Sequence, residues 1–242
     1  DNRLVDVEGE DGRPEMAIGR FPVTEPAEVA AIVDKTIRYA RESGVGPWKR
    51  RVLWITNDQK FYQDQSDRMS VPMAARGFES ARVYPVPEEP SNEQHRETLI
   101  QAFNEGQLLV HFIGHGGRYI WRTGPPDLEK NHDLFTLDDL EALESNSRLP
   151  IVLSMTCYSA PFDHPSADSI GEKFLRLSDR GAGAVIAAAW RNSPSFQMSH
   201  SLMDELTHPG TIGEAFMRAK IATRSTDFVQ QYNLLGDPAI PI

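Results

Sequence analysis

Two short apolar runs, each of which ends abruptly in polar residues, constrain this chain more than any other feature. The first run spans residues 108–113 and leads into Gly114-His115-Gly116-Gly117, and the second spans residues 150–155 and leads through Thr156 to Cys157, the only cysteine. Short apolar runs bounded by Gly or Pro are typical of buried strands in a parallel sheet. Because ligands bind beyond the carboxyl ends of such strands, the two runs predict a His and a Cys at one functional edge.

Strand-like and helix-like segments alternate along the whole chain, which predicts an α/β fold with a mostly parallel sheet and helices on both faces. The predicted strands are residues 51–57, 81–86, 108–113, 150–157 and 184–189. The predicted helices are residues 24–41, 61–75, 91–103, 137–143, 167–177, 195–206 and 211–224. Residues 118–133 and 158–165 are predicted to be loops, and Pro85 favours an edge position for the second strand.

The length of 242 residues suits a single α/β domain. Residues 1–47 carry one predicted helix and no clear strand, so we treat them as an N-terminal extension of the domain whose main core is residues 48–242. With 25 Lys and Arg against 35 Asp and Glu, the net charge is −10, which argues against nucleic-acid binding and favours cationic substrates. A single cysteine excludes an internal disulfide, and no apolar run approaches the ~20 residues of a membrane span.

Cys157 and His115 are the candidate nucleophile and base. They are 42 residues apart in sequence (157 − 115), and adjacent parallel strands would bring them together. The glycines that flank His115 leave room for a substrate, and the N–H groups of Gly116 and Cys157 are candidate oxyanion donors. The alternatives are an inert buried thiol and a histidine that is bonded to a carbonyl at a strand end.

Two further residues are candidates for substrate binding at the same edge. Asp58 follows the first strand, where it would orient His115, receive a basic substrate side chain or cap the next helix. Trp190 follows the strand at residues 184–189, where it would wall a side-chain pocket or close the core. Trp121 is expected to pack a loop rather than to touch substrate.

Metal chemistry is a further alternative. His111 and His115 lie four residues apart on one strand face, and a third ligand would come from His132, His164 or Asp163. No tight cluster of ligands accompanies the pair, so we favour a place for His111 at the edge of the core and expect no catalytic metal. The acidic residues of the first loop favour either a solvated segment or a structural calcium site, and they are Asp6, Glu8, Glu10 and Asp11.

Together, several motifs resemble the gingipain family of cysteine peptidases. They are Ile113-Gly114-His115-Gly116-Gly117 with Trp121, residues 149–157 ending in Cys157, residues 18–22 ahead of the helix with Lys35 and Tyr39, and the terminal residues 233–238. The resemblance spans nearly the whole chain. It implies a caspase-like three-layer fold, His115 as acid and base, Cys157 as nucleophile and Gly116 as an oxyanion donor. It also implies a secreted or cell-surface location, calcium in some members and cleavage after Arg or Lys.

These observations predict a cysteine endopeptidase of caspase-like fold that acts on peptides or proteins, with a basic P1 residue, the side chain before the cleaved bond, as the expected preference. No cofactor is expected beyond a structural calcium ion. The alternatives are a non-catalytic recognition or scaffold module on the same fold and a metal-dependent hydrolase that uses His111 and His115. No signal peptide is evident, and further domains of a larger parent chain remain open.

Overall fold

The structure is a computed structural model that describes residues 1–9, 11–42, 44–89, 91–125, 131–194, 196–223 and 226–242. Its centre is a six-stranded sheet in which neighbouring strands run parallel except at one end, where the last strand is antiparallel. In spatial order the strands are β2 (Glu79–Val83), β1 (Arg51–Thr56), β3 (Leu109–Ile113), β7 (Ile151–Met155), β8 (Ala184–Ala188) and β9 (Tyr232–Leu235).

Helices cover both faces of this sheet. One face carries α2 (Lys60–Ala75), α5 (Phe196–Glu205) and α6 (Ile212–Ala222), and the other carries α1 (Pro26–Glu42), α3 (Glu93–Glu105) and α4 (Ile170–Arg176). A short helix, α7 (Thr226–Gln231), leads into β9, and 3-10 turns form at Asn2–Leu4, Pro47–Arg50 and Asp139–Ala142. The three layers confirm the predicted α/β sandwich with a mostly parallel sheet.

The central strands form where the sequence is continuously apolar. Every residue of β3, β7 and β8 is buried, because helices cover the sheet on both sides. The side chains of each strand alternate between two cores, one on each face of the sheet. This burial makes the sheet a rigid platform, and the loops beyond its carboxyl edge carry the candidate site.

A second, three-stranded antiparallel sheet lies where the sequence predicted a loop. Its strands are β4 (Gly116–Gly117), β5 (Ile120–Arg122) and β6 (Asp133–Thr136). Segments of two to four residues are too short to show a hydrophobic period, so sequence patterns miss them. The sheet is anchored by Trp121, which is fully buried, stacks on Phe112 with ring centroids 4.8 Å apart and donates a hydrogen bond to the Ser154 hydroxyl at 2.9 Å.

Several element boundaries differ from the predictions for local reasons. The helix predicted from residue 167 begins at Ile170, because Ser169 and Glu172 form a capping box that fixes its start. The second strand ends at Val83, before Pro85, although it does lie at the edge of the sheet. The predicted helix at 137–143 is a 3-10 turn, and the terminal segment adds an unpredicted strand, β9. Residues 195 and 224, predicted as helix ends, lie outside the described residues.

The N-terminal segment is tied to the main core at two places. Arg20 pairs with β9 through backbone hydrogen bonds to the Leu234 carbonyl and from the Gly236 N–H, both 2.9 Å long. Lys35 of α1 is 1% exposed, and its Nζ donates to four carbonyls beyond and within α4, those of Phe174, Leu175, Leu177 and Arg180. The boundary at residue 47 between the N-terminal extension and the main core stays a prediction. No helix in the described part of the chain is long and apolar enough to span a membrane.

Candidate active site

The sheet register brings the two candidate catalytic residues to the same edge. Strand β3 lies beside β7, and the parallel ladder pairs Ile113 with Met155. His115 and Cys157 each lie two residues beyond this last pair. The two strands end at the same level of the sheet, so both residues follow at the same edge. The predicted meeting of the two strand ends therefore occurs in the structure.

Cys157 lies directly against the loop that carries His115. Its Sγ donates a hydrogen bond to the Gly116 carbonyl oxygen at 3.4 Å, and its side chain is half-buried. Its backbone N–H has no acceptor among the residues that the structure describes, which leaves that group available to an incoming oxygen. Gly116 fits only because it has no side chain, since a Cβ there would lie 2.7 Å from Thr156 Oγ1 and 3.0 Å from the Ile120 carbonyl oxygen.

His115 is half-buried beside aromatic and charged neighbours. The ring of Tyr62 meets it edge-on, with ring centroids 6.1 Å apart and planes at 86°. Burial lowers the pKa of His115, Asp58 acts in the opposite direction, and Arg122 lowers the pKa further. The net effect favours the neutral imidazole, which is the form that can accept a proton from a thiol.

Asp58 lies against residues 123 and 124 and interacts electrostatically with His115. Its backbone N–H donates to the Thr123 carbonyl, and its Oδ1 would be 3.3 Å from a Cβ placed on Gly124. Gln59 is the N-cap residue of α2. Asp58 lies one residue earlier, so it does not occupy the helix-cap position that was one of its predicted roles. Its electrostatic effect on His115 suits the predicted orienting role as well as the predicted receptor role.

Trp190 does not close the core, because 59% of it is exposed beyond the end of β8. Its ring meets Tyr158 edge-on at 5.8 Å, and its carbonyl oxygen accepts a hydrogen bond from the Tyr158 N–H at 3.1 Å. Tyr158 immediately follows Cys157 and has a φ of 54°, a left-handed conformation that costs a non-glycine residue about 1–2 kcal/mol. The aromatic pair therefore lies next to Cys157, the candidate nucleophile.

Two tyrosines near Cys157 were missed by the sequence analysis. Burial raises the pKa of Tyr62, and Cys157 raises it further. Burial also raises the pKa of the fully buried Tyr232, with smaller effects from Cys157 and Tyr62, and its hydroxyl donates to Asn192 Oδ1 at 3.2 Å. Their distance from Cys157 in the sequence hides them, and no local motif marks either residue.

His111, one half of the alternative metal pair, lies in the core. His111 is fully buried within β3, its Nε2 lies 3.0 Å from the Ser199 hydroxyl, and burial lowers its pKa to about 3. His132 is buried and bonded to Thr123, whereas His164 is exposed. Within the described ranges, three or more potential metal-ligand side chains come together in one group, and none of these histidines belongs to it. The burial of His111 and its serine partner therefore favour the predicted core position over metal binding.

That grouping lies instead in the acidic first loop, where ligand oxygens of Asp6, Asp11 and Glu15 lie within 4.8 Å of one another. Glu15 replaces the predicted Glu8 in this group, and Glu10 lies outside the described residues. Asp6 Oδ2 accepts the Gly12 N–H at 3.0 Å, but Asp6 Oδ1 is buried with no hydrogen-bond partner in the described structure. Oδ1 of Asn2, a residue 3% exposed, has none either. Oxygen ligands of this kind suit a hard cation.

Comparison with known proteins agrees with the fold. The model of the family described as Peptidase family C25 matches residues 1–242. Gingipain R2 of Porphyromonas gingivalis is 23% identical over a 260-residue alignment that covers 96% of this chain and 33% of that protein. Lys-gingipain of the same organism is 23% identical over 184 residues, which cover 73% of this chain and 10% of that protein. The chain thus spans no more than about a third of these two relatives.

Solved structures show the same architecture. The crystal structure of the Arg-specific cysteine proteinase gingipain R superimposes with a TM-score of 0.82 at 20% identity, over 100% of this chain and 59% of that one. The complex of the pro- and mature domains of the same proteinase gives a TM-score of 0.83, also at 20% identity and over 100% of this chain and 60% of that one. These likenesses confirm the caspase-like fold. Because the family model covers the whole chain, the protein belongs to peptidase family C25.

Proposed function

We propose that this chain is the catalytic domain of a cysteine endopeptidase that works through a Cys157–His115 dyad. The observation that carries the proposal is the register of β3 and β7, which delivers both residues to one edge, with Cys157 Sγ 3.4 Å from the Gly116 carbonyl oxygen. Family membership supports the same chemistry. A non-catalytic recognition module, which is the alternative, would not require a thiol and an imidazole at the same edge of the sheet.

In the proposed reaction, His115 accepts the Cys157 thiol proton while Sγ bonds to the scissile carbonyl carbon. The negative charge that moves to the carbonyl oxygen is stabilised by the N–H groups of Gly116 and Cys157. Breaking the C–N bond returns the carbonyl, and His115 gives its proton to the leaving amine. Water then attacks the thioester with His115 as base, which releases the acid and restores the thiol.

We further propose a preference for a basic residue at P1. Its support is the carboxylate of Asp58 near His115, the exposed ring of Trp190 as a pocket wall, and the net charge of −10. Short substrates that differ only in Arg, Lys, Asp or Asn at P1 test the preference. Cleavage after Asp or Asn alone would refute it, and an unchanged Arg preference in Asp58→Asn would assign Asp58 to His115 rather than to substrate.

Peptidyl chloromethyl ketones test the dyad itself, because each warhead alkylates the residue that attacks it. Mass spectrometry is expected to show one adduct at Cys157, lost in Cys157→Ala and strongly slowed in His115→Ala. Unchanged activity in Cys157→Ala would refute the role of Cys157 as nucleophile, and absence of labelling at Cys157 would support the recognition module. Activity that survives thiol alkylation but not chelation would restore the metal-dependent alternative.

We propose that calcium binds as a structural ion held by Asp6, Asp11 and Glu15, with Asn2 as a neutral ligand. The thiol, the imidazole and the two N–H groups supply the chemistry, so no cofactor enters the chemical step. Calcium should raise the melting temperature of the wild type but not that of Asp6→Asn. Glu8→Gln is the matched control outside the group, and a calcium response that Asp6→Asn retains would refute the site.

The expected substrates are peptides or proteins, and the expected location is secreted or at the cell surface, by resemblance. Nucleic acids are not expected partners, because the domain is acidic. Both gingipain relatives are at least about three times longer than the matched region, which supports additional domains in the parent protein. Fractionation of producing cells with an antibody against this domain would check the location and the length together.

A further inference from the structure

The backbone just after the nucleophile position adopts a conformation that needs an external support. Tyr158 has a φ of 54° and is the only non-glycine residue with a positive φ in the described part of the chain. In this conformation the Cβ crowds the following carbonyl oxygen, so the residue would relax if its neighbours let go. Such outliers cluster at active sites, where the surrounding structure holds them. Relaxation here would rotate the peptide that joins Tyr158 to Cys157.

Two neighbours hold Tyr158 in place. On one side, its N–H donates to the Trp190 carbonyl at 3.1 Å and its ring meets the Trp190 ring edge-on. On the other side lies Arg118, whose guanidinium carbon is 5.3 Å from the centre of the Tyr158 ring and whose Nη2 donates to the Tyr158 hydroxyl at 3.2 Å. Trp190 is exposed, whereas the Arg118 side chain is only 12% exposed. Arg118 is therefore the more firmly fixed of the two supports.

Arg118 is itself anchored from several directions. Its Nη1 donates to the Ala167 carbonyl at 3.1 Å, and its Nη2 also pairs with the Asp163 carboxylate. Its backbone carbonyl accepts the Ile170 N–H at 2.6 Å, which fixes it to the first residue of α4. A planar guanidinium with this many acceptors has little rotational freedom left. The side chain forms a rigid brace between the loop after β4 and the loop after β7.

The brace connects the two halves of the proposed site. Arg118 follows Gly116 and Gly117 directly, and the Gly116 carbonyl accepts the Cys157 thiol hydrogen. Tyr158 follows Cys157 directly. We infer that Arg118 is a positioning residue that, through Tyr158, holds the Cys157 thiol and N–H in register with His115 and Gly116. This inference rests on the proposed function, and it assigns no contact with substrate to Arg118.

The test compares two variants of the bracing residue with a distant control. Arg118→Met keeps the length of the side chain but removes its hydrogen bonds, and Arg118→Lys keeps the charge but removes the planar fork. A displacement of roughly 1 Å can cost about 100-fold in rate, so we expect kcat to fall about 10- to 100-fold in both variants, with KM changed less than about threefold. Arg148→Met is the control, because Arg148 precedes β7 at the opposite edge and donates to the Asn104 carbonyl.

Alkylation by iodoacetamide gives a readout that needs no peptide substrate. Cys157 is the only cysteine, so its modification rate can be followed by mass without ambiguity. We expect the rate to fall about tenfold or more in Arg118→Met and Arg118→Lys at neutral pH, because His115 no longer assists the deprotonation of a misplaced Cys157 thiol. A wild type that is alkylated quickly but cleaves no peptide would refute the proposed function while it leaves the brace measurable.

A double-variant cycle decides whether Arg118 acts through Tyr158. Glycine adopts positive φ freely, so Tyr158→Gly removes both the strain and the ring that Arg118 holds. In the Tyr158→Gly background, Arg118→Met should lower kcat less than about threefold further. If the losses of the two single variants multiply in the double variant, the inference is overturned. The inference would also be overturned if Arg118→Lys kept the kcat and the alkylation rate of the wild type, because only the charge at position 118 would then matter. If Arg118→Met does not fold, Arg118→Lys and Tyr158→Phe, which lacks only the hydroxyl, carry the same test.

Discussion

Gly116 is the position where a single added methyl group should separate the two residues of the proposed dyad. A Cβ there would lie 2.7 Å from Thr156 Oγ1, 2.8 Å from Thr156 Cγ2 and 3.0 Å from the Ile120 carbonyl oxygen. Ordinary contacts begin at 3.4 Å, so the backbone or Thr156 must move by 3.4 − 2.7 = 0.7 Å. Gly116 is paired with Trp121 in the small sheet, and Thr156 directly precedes Cys157. The strain therefore acts on both sides of the proposed dyad.

The expected result of Gly116→Ala is a loss of about 100-fold in kcat/KM, because a shift of roughly 1 Å has that effect on reacting groups. Overpacking of this kind also lowers the free energy of unfolding by about 1–3 kcal/mol. The assay is steady-state cleavage of a fluorogenic peptide, with urea unfolding to show that the variant is folded. Gly117→Ala is the matched control, because the nearest atom to its added Cβ is Ile120 Cγ2, 3.8 Å away.

A second substitution separates this clash from other effects of the new methyl group. Thr156→Ala removes both side-chain atoms that the methyl group added at position 116 would touch, and it removes a hydroxyl that is buried without a hydrogen-bond partner in the described structure. The double variant should recover at least about tenfold of the lost activity. Equal losses in Gly116→Ala and Gly117→Ala, or no recovery with Thr156→Ala, would refute the steric reasoning.

Three further predictions concern buried charge. In Cys157→Ala, an NMR titration should place the His115 pKa below the usual range of histidine, and Asp58→Asn should lower it further because a nearby anion is lost. Burial lowers the pKa of His111 from 6.5 to about 3 in the folded protein, so only the unfolded chain binds a proton there between these pH values. The free energy of unfolding should therefore fall by about 2 kcal/mol between pH 7 and pH 5. Urea unfolding of His111→Leu should lose that dependence, and an unchanged slope would contradict it. Lys35→Met should lower the unfolding free energy by about 2–4 kcal/mol, because four carbonyls lose their donor, and an unchanged urea midpoint would contradict this.

Much of the sheet edge could be predicted because its signals are local. The runs that end at His115 and Cys157 are apolar and bounded by glycine or polar residues, so strand identity and position follow from neighbouring residues alone. Neighbouring parallel strands then predict that the two residues meet. The small sheet around Trp121 escaped prediction, because its short strands form only when Trp121 finds Phe112 and Ser154 in the core.

Residues that lie far from Cys157 in the sequence and near it in the structure could not be predicted. Tyr62 and Tyr232 are 95 and 75 residues from Cys157 (157 − 62 and 232 − 157), and nothing in their local sequence shows that α2 and β9 bring them near it. His111 was expected at the edge of the core rather than in a metal pair with His115, and it is fully buried, but its local sequence does not show what buries it. Four residues along a strand set a shared face, but only the packing of α5 against that face buried His111 against Ser199.

The sequence by itself determined the layered α/β fold and the strand ends that carry His115 and Cys157, because hydrophobic runs are properties of adjacent residues. Only the tertiary structure shows that position 116 needs a glycine, because the atoms that would crowd a side chain there belong to Thr156 and Ile120. The tertiary structure alone decided which side chains surround His115 and Cys157. Arg118 braces Tyr158 only because the loops after β4 and β7 fold against each other. Such contacts depend on long-range chain closure, which no local pattern encodes.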